Sequence, residues 1–509
     1  MRFKKPENDD IIASAASSSS TELTPRPPLS TLQSFLVITS SITAEVCCGA
    51  IFILNFYIPY FVSYVRLRGS KPDINIEDGK LLLLLLATSF GMSGYPLGVI
   101  VSRIPDVISL TVGVFLFILG YVMVFLGVEF EYGFVISGVI LLGVSAMLIS
   151  ISVLLRCLKS FRDHWGIVSG SLIGVAFGST AIFYIWEKAI VNPNNITPRM
   201  LNAVQGEQGE DAMLWYFESE AVLDRCAEFF WILAVCLVVL LSFPMIVYRV
   251  FPSPTPLERD RIPFVNACVG NGCNIMMDIR FLLAFVAFVF GGVAGLSARS
   301  SLKTRGEGFI ADEHFLSSVG SSGAFAGAVG AICMGIILDL ASNQSVTIKS
   351  PKLLLLNCIL GFTASVMMMF APKEGRVWFL FCYDVILFAF GGFSAVLVMV
   401  LFEIFGVTQF AVAFGISNLS TFVSAVWYTF SMFSGLPWKD FWMANAFFSF
   451  IAVISSVGLI LQYQVTGRIR VDNLDHQDLS LTYDDDDSEF IIHDGKKYVL
   501  QRDNFYQDR

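Results

Sequence analysis

Val135 to Leu155 reads VISGVILLGVSAMLISISVLL, twenty-one residues without a charge. A helix of about 20 apolar residues crosses the hydrocarbon core of a bilayer, so this stretch is long enough to span one. Leu81 to Ala87 and Phe229 to Val247 are further charge-free runs. Over all 509 residues, 55% are hydrophobic and 15% charged, whereas a soluble domain carries roughly 25% charged residues. An ordinary soluble enzyme is excluded, and the chain reads as a polytopic, all-α membrane protein. The net charge is −9, but the acidic excess sits in the tails and one outer loop, so no nucleic-acid partner is expected.

Outward from that stretch, apolar helices follow one another between residues 33 and 463, twelve in all, the seventh at 279–300 and the twelfth at 440–463. The expected organisation is a disordered cytoplasmic tail at 1–32, a six-helix bundle at 33–250, a cytoplasmic linker at 251–278, a second six-helix bundle at 279–463 and an acidic cytoplasmic tail at 464–509. The first segment carries Ser17 to Ser20 and the prolines Pro25, Pro27 and Pro28, a composition that cannot build a packed core. Lys and Arg are more frequent on the side of the amino terminus, which places both termini in the cytoplasm. The sequon Asn195-Ile196-Thr197 falls in the long outer loop. The ten cysteines lie mostly within apolar runs and read as small buried residues with no disulfide framework. Cys268 and Cys273 lack a second Cys or His pair to complete a metal site, and neither metal nor cofactor is expected.

The two bundles repeat each other. Gly143-Val144-Ser145-Ala146 in span four has a counterpart in Gly392-Phe393-Ser394-Ala395 in span ten, and Gly98 to Arg103 at the end of span two matches Gly335 to Asp339 in span eight. Such repeats place a substrate site near the midplane between the halves. Gly166, Gly170, Gly174 and Gly178 on span five, and Gly320, Gly323, Gly327 and Gly330 on span eight, form stripes along one helix face. In lipid, small residues let helix backbones approach closely. The stripes are read either as static packing or as faces that meet and rock between the halves.

Two carboxylates stand inside spans, Glu45 in span one and Asp384 in span ten. A charge at such depth costs a few kcal/mol on insertion scales, so it faces the bundle interior or a cavity. Burial brings a carboxyl toward exchanging a proton near neutral pH, which makes both proton-coupling sites. Every Lys, Arg and His reads as terminal or in a loop, leaving the interior with acids and no basic partner. Polar groups expected along the substrate path are Asn55 and Tyr57 in span one, Ser145 and Ser150 in span four, Tyr383 beside Asp384, and Ser417, Thr421, Ser424 and Tyr428, spaced along one face of span eleven. At the inner surface Arg103 and Arg162 are expected to meet Glu403 and Asp339 as a cytoplasmic gate. In the tail, Asp494-Gly495 between two apolar-rich runs is a hairpin signal.

Twelve spans in two repeats resemble the major facilitator superfamily, and Gly98 to Arg103 looks like its signature loop with Ser102 where an acid is usual, whereas Asp339 retains that acid in the second half. Phe161-Arg-Asp-His-Trp-Gly166-Ile-Val-Ser-Gly170 with Gly174 and Gly178, followed by Ile190-Val-Asn192-Pro193-Asn194, is similar to the span-five signature of the oxalate/formate antiporter and monocarboxylate porter-like branch. The resemblance implies two pseudo-symmetric bundles that carry small organic anions by alternating access. The residues themselves leave two solute classes open, a monocarboxylate or a neutral or cationic solute such as an amino acid. A transport-inactive membrane sensor is a further alternative. An enzyme is not expected: the Tyr383-Asp384 pair lacks a second acid at similar depth for aspartyl catalysis. The expected partners are the bilayer, a small-molecule substrate and protons, for a monomeric protein of the plasma or an endolysosomal membrane.

Overall fold

The computed structural model describes residues 30–475, apart from position 70, positions 162–163 and stretches within 197–213, 253–274, 307–311 and 343–349, together with 481–483, 489–493 and 496–499. The amino-terminal tail, most of the linker with Cys268 and Cys273, and the gate residue Arg162 lie outside the described residues.

Among the described residues, twelve helices are long and apolar enough to cross a membrane: α1 (Thr31–Ala50), α2 (Asp78–Val101), α3 (Asp106–Val128), α4 (Tyr132–Ser160), α5 (Trp165–Ile190), α6 (Glu220–Val250), α7 (Ile279–Leu302), α8 (His314–Leu340), α9 (Ser350–Met368), α10 (Arg376–Gly406), α11 (Gln409–Ser431) and α12 (Trp438–Val465). Side-chain capping marks two of the starts. Ser30 and Gln33 bond each other's backbone N–H in a capping box ahead of α1, and Asn75 and Asp78 do the same at the start of α2. After a 3-10 turn at Ile51–Ile53, α1 continues as a helix over Leu54–Arg68. Between α10 and α11 the chain turns at Gly406, whose φ of 63° is left-handed and suits a residue without a Cβ.

The helices form two six-helix bundles. An even number of spans puts both ends of the helical body on one face, here the terminal face; the opposite one is the far face. α4 and α10 are the most enclosed of the twelve, while Phe115, Ile182, Ile185, Val239, Phe325 and Phe447 point outward as an apolar surface. That arrangement suits helices solvated by lipid, where the outer surface is as apolar as the core.

Two departures from the expected elements lie outside the spans. Short antiparallel strands β1 (Arg199–Leu201) and β2 (Leu214–Tyr216) pair in the loop between α5 and α6. The helix of α12 runs on to Asp475, past its apolar stretch. It is followed by a three-stranded antiparallel sheet of β3 (Leu481–Tyr483), β4 (Glu489–His493) and β5 (Lys496–Val499). His493 pairs with Lys496 across Asp494-Gly495, the hairpin that dipeptide signalled.

Candidate functional site

The bundles meet along two seams, and glycine decides both. On α5, Gly166, Gly170 and Gly174 lie against the backbones of Gly335, Ala331 and Ala328 of α8. On α2, Gly98, Gly94 and Gly91 lie against Ala411, Gly415 and Asn418 of α11. The contacts are equivalent, since Gly335 and Ala331 take on α8 the places that Gly98 and Gly94 take on α2. Span eight's own stripe behaves differently. Gly323 and Gly330 pack on Tyr383 and Phe388 of α10 within the same half, and Gly327 meets Gly391 of α10 as well as Phe177 of α5. Only the α5 stripe therefore faces the other half along its length.

Seam ends carry polar clasps. At the terminal face both Asp339 carboxylate oxygens accept backbone N–H bonds at 2.7 Å, from Gly166 and Ile167 in the first turn of α5. The carboxylate meets the N–H groups that a helix start leaves without intrahelical acceptors. Trp165 adds an edge-on contact with Phe402 of α10, ring centroids 4.2 Å apart. At the far face the His314 Nε2 lies 3.0 Å from the Asn192 carbonyl, the His314 N–H donates to Asn195 Oδ1 at 3.1 Å, and Lys188 donates to Ser318 at 3.2 Å. Of the expected gate residues, Arg162 lies outside the described residues, and Asp339 has interactions beyond these two bonds. Asp339 bridges the halves through backbone amides, and Glu403 accepts from Ser350 of α9 in its own half. Arg103 lies at the terminal end of α2 and has an interaction of its own.

Glu45 is 6% exposed and accepts from Ser150 of α4 at 3.2 Å. Asp384, eight residues from the far end of α10, accepts from Ser322 of α8 at 2.9 Å. Neither carboxylate has a cation at ion-pair distance among the described residues.

The expectation that the interior holds no cation is corrected by Arg299. The seventh span was read as ending at 300, but its helix continues to Gly306 and buries Arg299 to 5% exposure. The guanidinium lies 4.0 Å from the Phe52 ring of the 3-10 turn after α1 and 5.3 Å from the Phe177 ring of α5, and it donates to Thr180 of α5 at 2.7 Å. It crosses from one half to the other. On α10, Tyr383 is buried, and its hydroxyl has no hydrogen-bond partner among the described residues. Phe177 also meets Phe390 of α10 edge to face, 5.6 Å between centroids.

Other expected site residues serve their own helices. Ser145 and Ser417 are buried and donate to the carbonyls of Leu142 and Phe414 three residues back, the local use open to any helical hydroxyl. Tyr57 donates to the Cys226 carbonyl of α6, and Tyr428 to the Ser300 carbonyl of α7, each within its own half. Ser424 is buried near Gly292, and Thr421 is half-buried on the same helix. Asn55 lies in the helix that continues α1, its side chain outside the described residues. A second buried cation, Arg156, is 1% exposed and closes the terminal end of the first half. It lies 3.5 Å from Asp106, donates to the Phe251 carbonyl at 2.5 Å and stands 5.5 Å from the Tyr248 ring. Among the described residues no cluster of His, Cys, Asp and Glu could hold a metal ion.

No family model and no curated protein matches this sequence. Its fold is that of the major facilitator superfamily transporters. The chain is similar to the structure of one such transporter, FucP, in the outward conformation, with a TM-score of 0.59 at 12% identity over 84% of this chain and 99% of that one. It is also similar to a variant of the E. coli fucose:proton symporter FucP, with a TM-score of 0.58 at 12% identity over 84% of this chain and 98% of that one.

Proposed function

We propose that the protein is a secondary active transporter that moves a small polar metabolite by alternating access, coupled to protons. The observation that carries this reading is the pair of carboxylates inside spans, the buried Glu45 on Ser150 and the half-buried Asp384 on Ser322, one in each half and neither at ion-pair distance from a cation among the described residues. An intramembrane acid held by a single hydroxyl can exchange a proton as its surroundings alternate between wet and dry. The two seams supply the moving parts: backbones packed on glycine with clasps only at the ends can part at one face while closing at the other. The fold shared with a fucose:proton symporter supports the same reading. In it the terminal face is cytoplasmic, the working unit is a monomer, and the protein resides in the plasma or an endolysosomal membrane. This reading assigns Ser424 and Thr421, with Asp384 and Tyr383, to the substrate path.

Uptake into proteoliposomes with and without an inward proton gradient tests the coupling. Wild-type uptake should rise with the gradient, and Glu45→Gln or Asp384→Asn should flatten that response at least about tenfold, the loss of a proton-carrying group. Unchanged pH dependence in both variants would overturn the assignment.

A further inference from the structure

The two interior acids stand at opposite depths. Glu45 bonds Ser150, ten residues from the terminal end of α4, whereas Asp384 lies eight residues from the far end of α10. Each acid is also the inner end of a file of polar side chains. α1 and α4 run antiparallel, and their contacts form rungs: the Cys48 Sγ lies 3.8 Å from the Ala146 carbonyl, Ser150 donates to Glu45 at 3.2 Å, and the Cys157 thiol donates to Ser41 at 3.1 Å. On the last rung the Ser41 hydroxyl also meets the Tyr248 hydroxyl of α6 at 2.8 Å. Ser41, Cys157 and Tyr248 are all buried, and the last two stand three and two residues before the terminal ends of their helices. Beyond them is Arg156, 5.5 Å from the Tyr248 ring and bonded to the Phe251 carbonyl that follows α6. The other file points the opposite way. Ser322 of α8 donates to Asp384 at 2.9 Å, and one turn nearer the far face Ser318 is exposed and accepts from Lys188 of α5 at 3.2 Å.

We propose that the two acids exchange protons with opposite faces, Glu45 with the terminal face through Ser41 and Tyr248, and Asp384 with the far face past Ser322 and Ser318. This deepens the proton-coupling reading, on which it rests, by giving each acid a side. Ser41 lies one turn before Glu45 on α1, and helical side chains lean toward the start of their helix, so a carboxyl that turns from Ser150 comes to Ser41. A hydroxyl accepts two hydrogen bonds and donates one. Ser41 therefore takes Glu45 and Cys157 as donors while its own proton turns from the Val37 carbonyl, 2.7 Å away, to Tyr248. Glu45 gives its O–H proton to Ser41, Ser41 gives its own to Tyr248, and Tyr248 gives its own to water at the terminal face. One proton leaves the carboxyl, and no hydroxyl ends charged. The Cys157 thiol orients Ser41 and gives up nothing. The stopper is Arg156, whose bond to the Phe251 carbonyl must part before water meets Tyr248. Other titratable or charged groups beside this file are Cys47 and Cys48 on α1, Lys159 on α4 and Asp106 on α3, which lies 3.5 Å from Arg156 and 3.9 Å from Lys159. Beside the Asp384 file they are Tyr383, Lys188 and His314, whose carbonyl accepts from Ser318 at 2.7 Å. The Glu45 file runs wholly among α1, α4 and α6 of one half, so its proton can leave without the solute path opening.

The test uses full-length protein reconstituted in one orientation in liposomes, with the pH jumped on one side at a time. Infrared difference spectroscopy reads the C=O bands of protonated carboxyls, assigned by their loss in Glu45→Gln and Asp384→Asn. The Glu45 band should respond first to a jump at the terminal face and the Asp384 band first to one at the far face. Ser41→Ala and Tyr248→Phe should each slow the Glu45 response about tenfold, and Ser322→Ala the Asp384 response about fivefold, each the loss of one hydrogen bond from its file. Equal response of both bands from either face, the reverse assignment of faces, or an undiminished Glu45 rate in both Ser41→Ala and Tyr248→Phe would overturn the proposal. Should those variants not fold, the side dependence in the wild type decides it. Failure of the coupling reading looks different: neither carboxyl band would respond from either face, and both ideas would fall. Bands that respond to pH from the wrong face sink the assignment of sides and keep the acids as proton carriers.

Discussion

The two seams between the halves start from the same glycine pattern and end as different structures. The α5/α8 seam runs the length of the helices, with Asp339 clasping one end and His314, Asn192 and Asn195 the other. The α2/α11 seam is packed from Gly98 to Gly91 on the terminal side. Toward the far face α2 turns Gly79 to Ile58 and Val62 of its own half. Where α8 carries Asp339, α2 carries Ser102, whose hydroxyl bonds the Val99 carbonyl of its own helix. Pseudo-symmetry therefore sets where the halves touch, and a single acid sets how firmly each contact is held. One seam is clasped at both ends, and the other is held by its glycine packing.

Substitutions that fill the backbone contacts test this difference with the largest expected effect. A Cβ at Gly335 runs into the Gly166 carbonyl, and one at Gly415 into the Gly94 carbonyl. Overpacking a core contact costs about 1–3 kcal/mol when neighbours cannot yield. Gly335→Leu should lower thermal stability by at least that much, whereas Gly415→Leu should be accommodated by parting the α2/α11 seam and holding the terminal face open. Equal stability losses in the two variants would erase the distinction.

The next effect in size belongs to Asp339. Its two charge-assisted bonds hold the start of α5, and Asp339→Asn should shift the closed-to-open ratio of the terminal face about tenfold, or about 1.4 kcal/mol. Spin-label distances between the terminal ends of α5 and α8 would report it. In the opposite sense, Ser102→Asp would place an acid beside the start of α11 and should slow opening about two- to fivefold, the size of a helix-terminus interaction. No change in either would mean that the acid does not set the asymmetry. The smallest effect is expected from His314→Ala, which removes one hydrogen bond at the far end of the α5/α8 seam: about 1 kcal/mol of stability, measured by thermal unfolding, with transport rate little altered.

Much of the fold was legible because lipid imposes one dominant rule. Runs such as Val135 to Leu155 must form spanning helices, since an unbroken apolar run of that length satisfies its own backbone polar groups in hydrocarbon only as a helix. The repeat was legible for a related reason: close contacts between helices need glycine or alanine, and those residues recur at matching places, as Gly94 and Gly98 do against Ala331 and Gly335. Within the candidate site, the acids were the residues that stood out in the sequence. Glu45 and Asp384 announce themselves by depth, because a carboxylate in an apolar run has few explanations. The hydroxyls do not, since Ser145 and Ser417 can serve their own helix backbones as readily as a substrate.

Arg299 shows where sequence reading stops. It sits at the edge of an apolar run, where an arginine ordinarily reaches the membrane surface, and nothing in its neighbours along the chain says otherwise. Its burial comes from Phe52, Phe177 and Thr180, residues 119 to 247 positions away that belong to the other half. The sequence by itself determined the number of spans, their repeat and the two interior acids, because those follow from the local cost of placing polar groups in lipid. Only the tertiary structure decided which cation enters the interface, which acid clasps a seam and which hydroxyls turn inward. Those outcomes depend on what two separate bundles bring into contact, and no single helix carries that information.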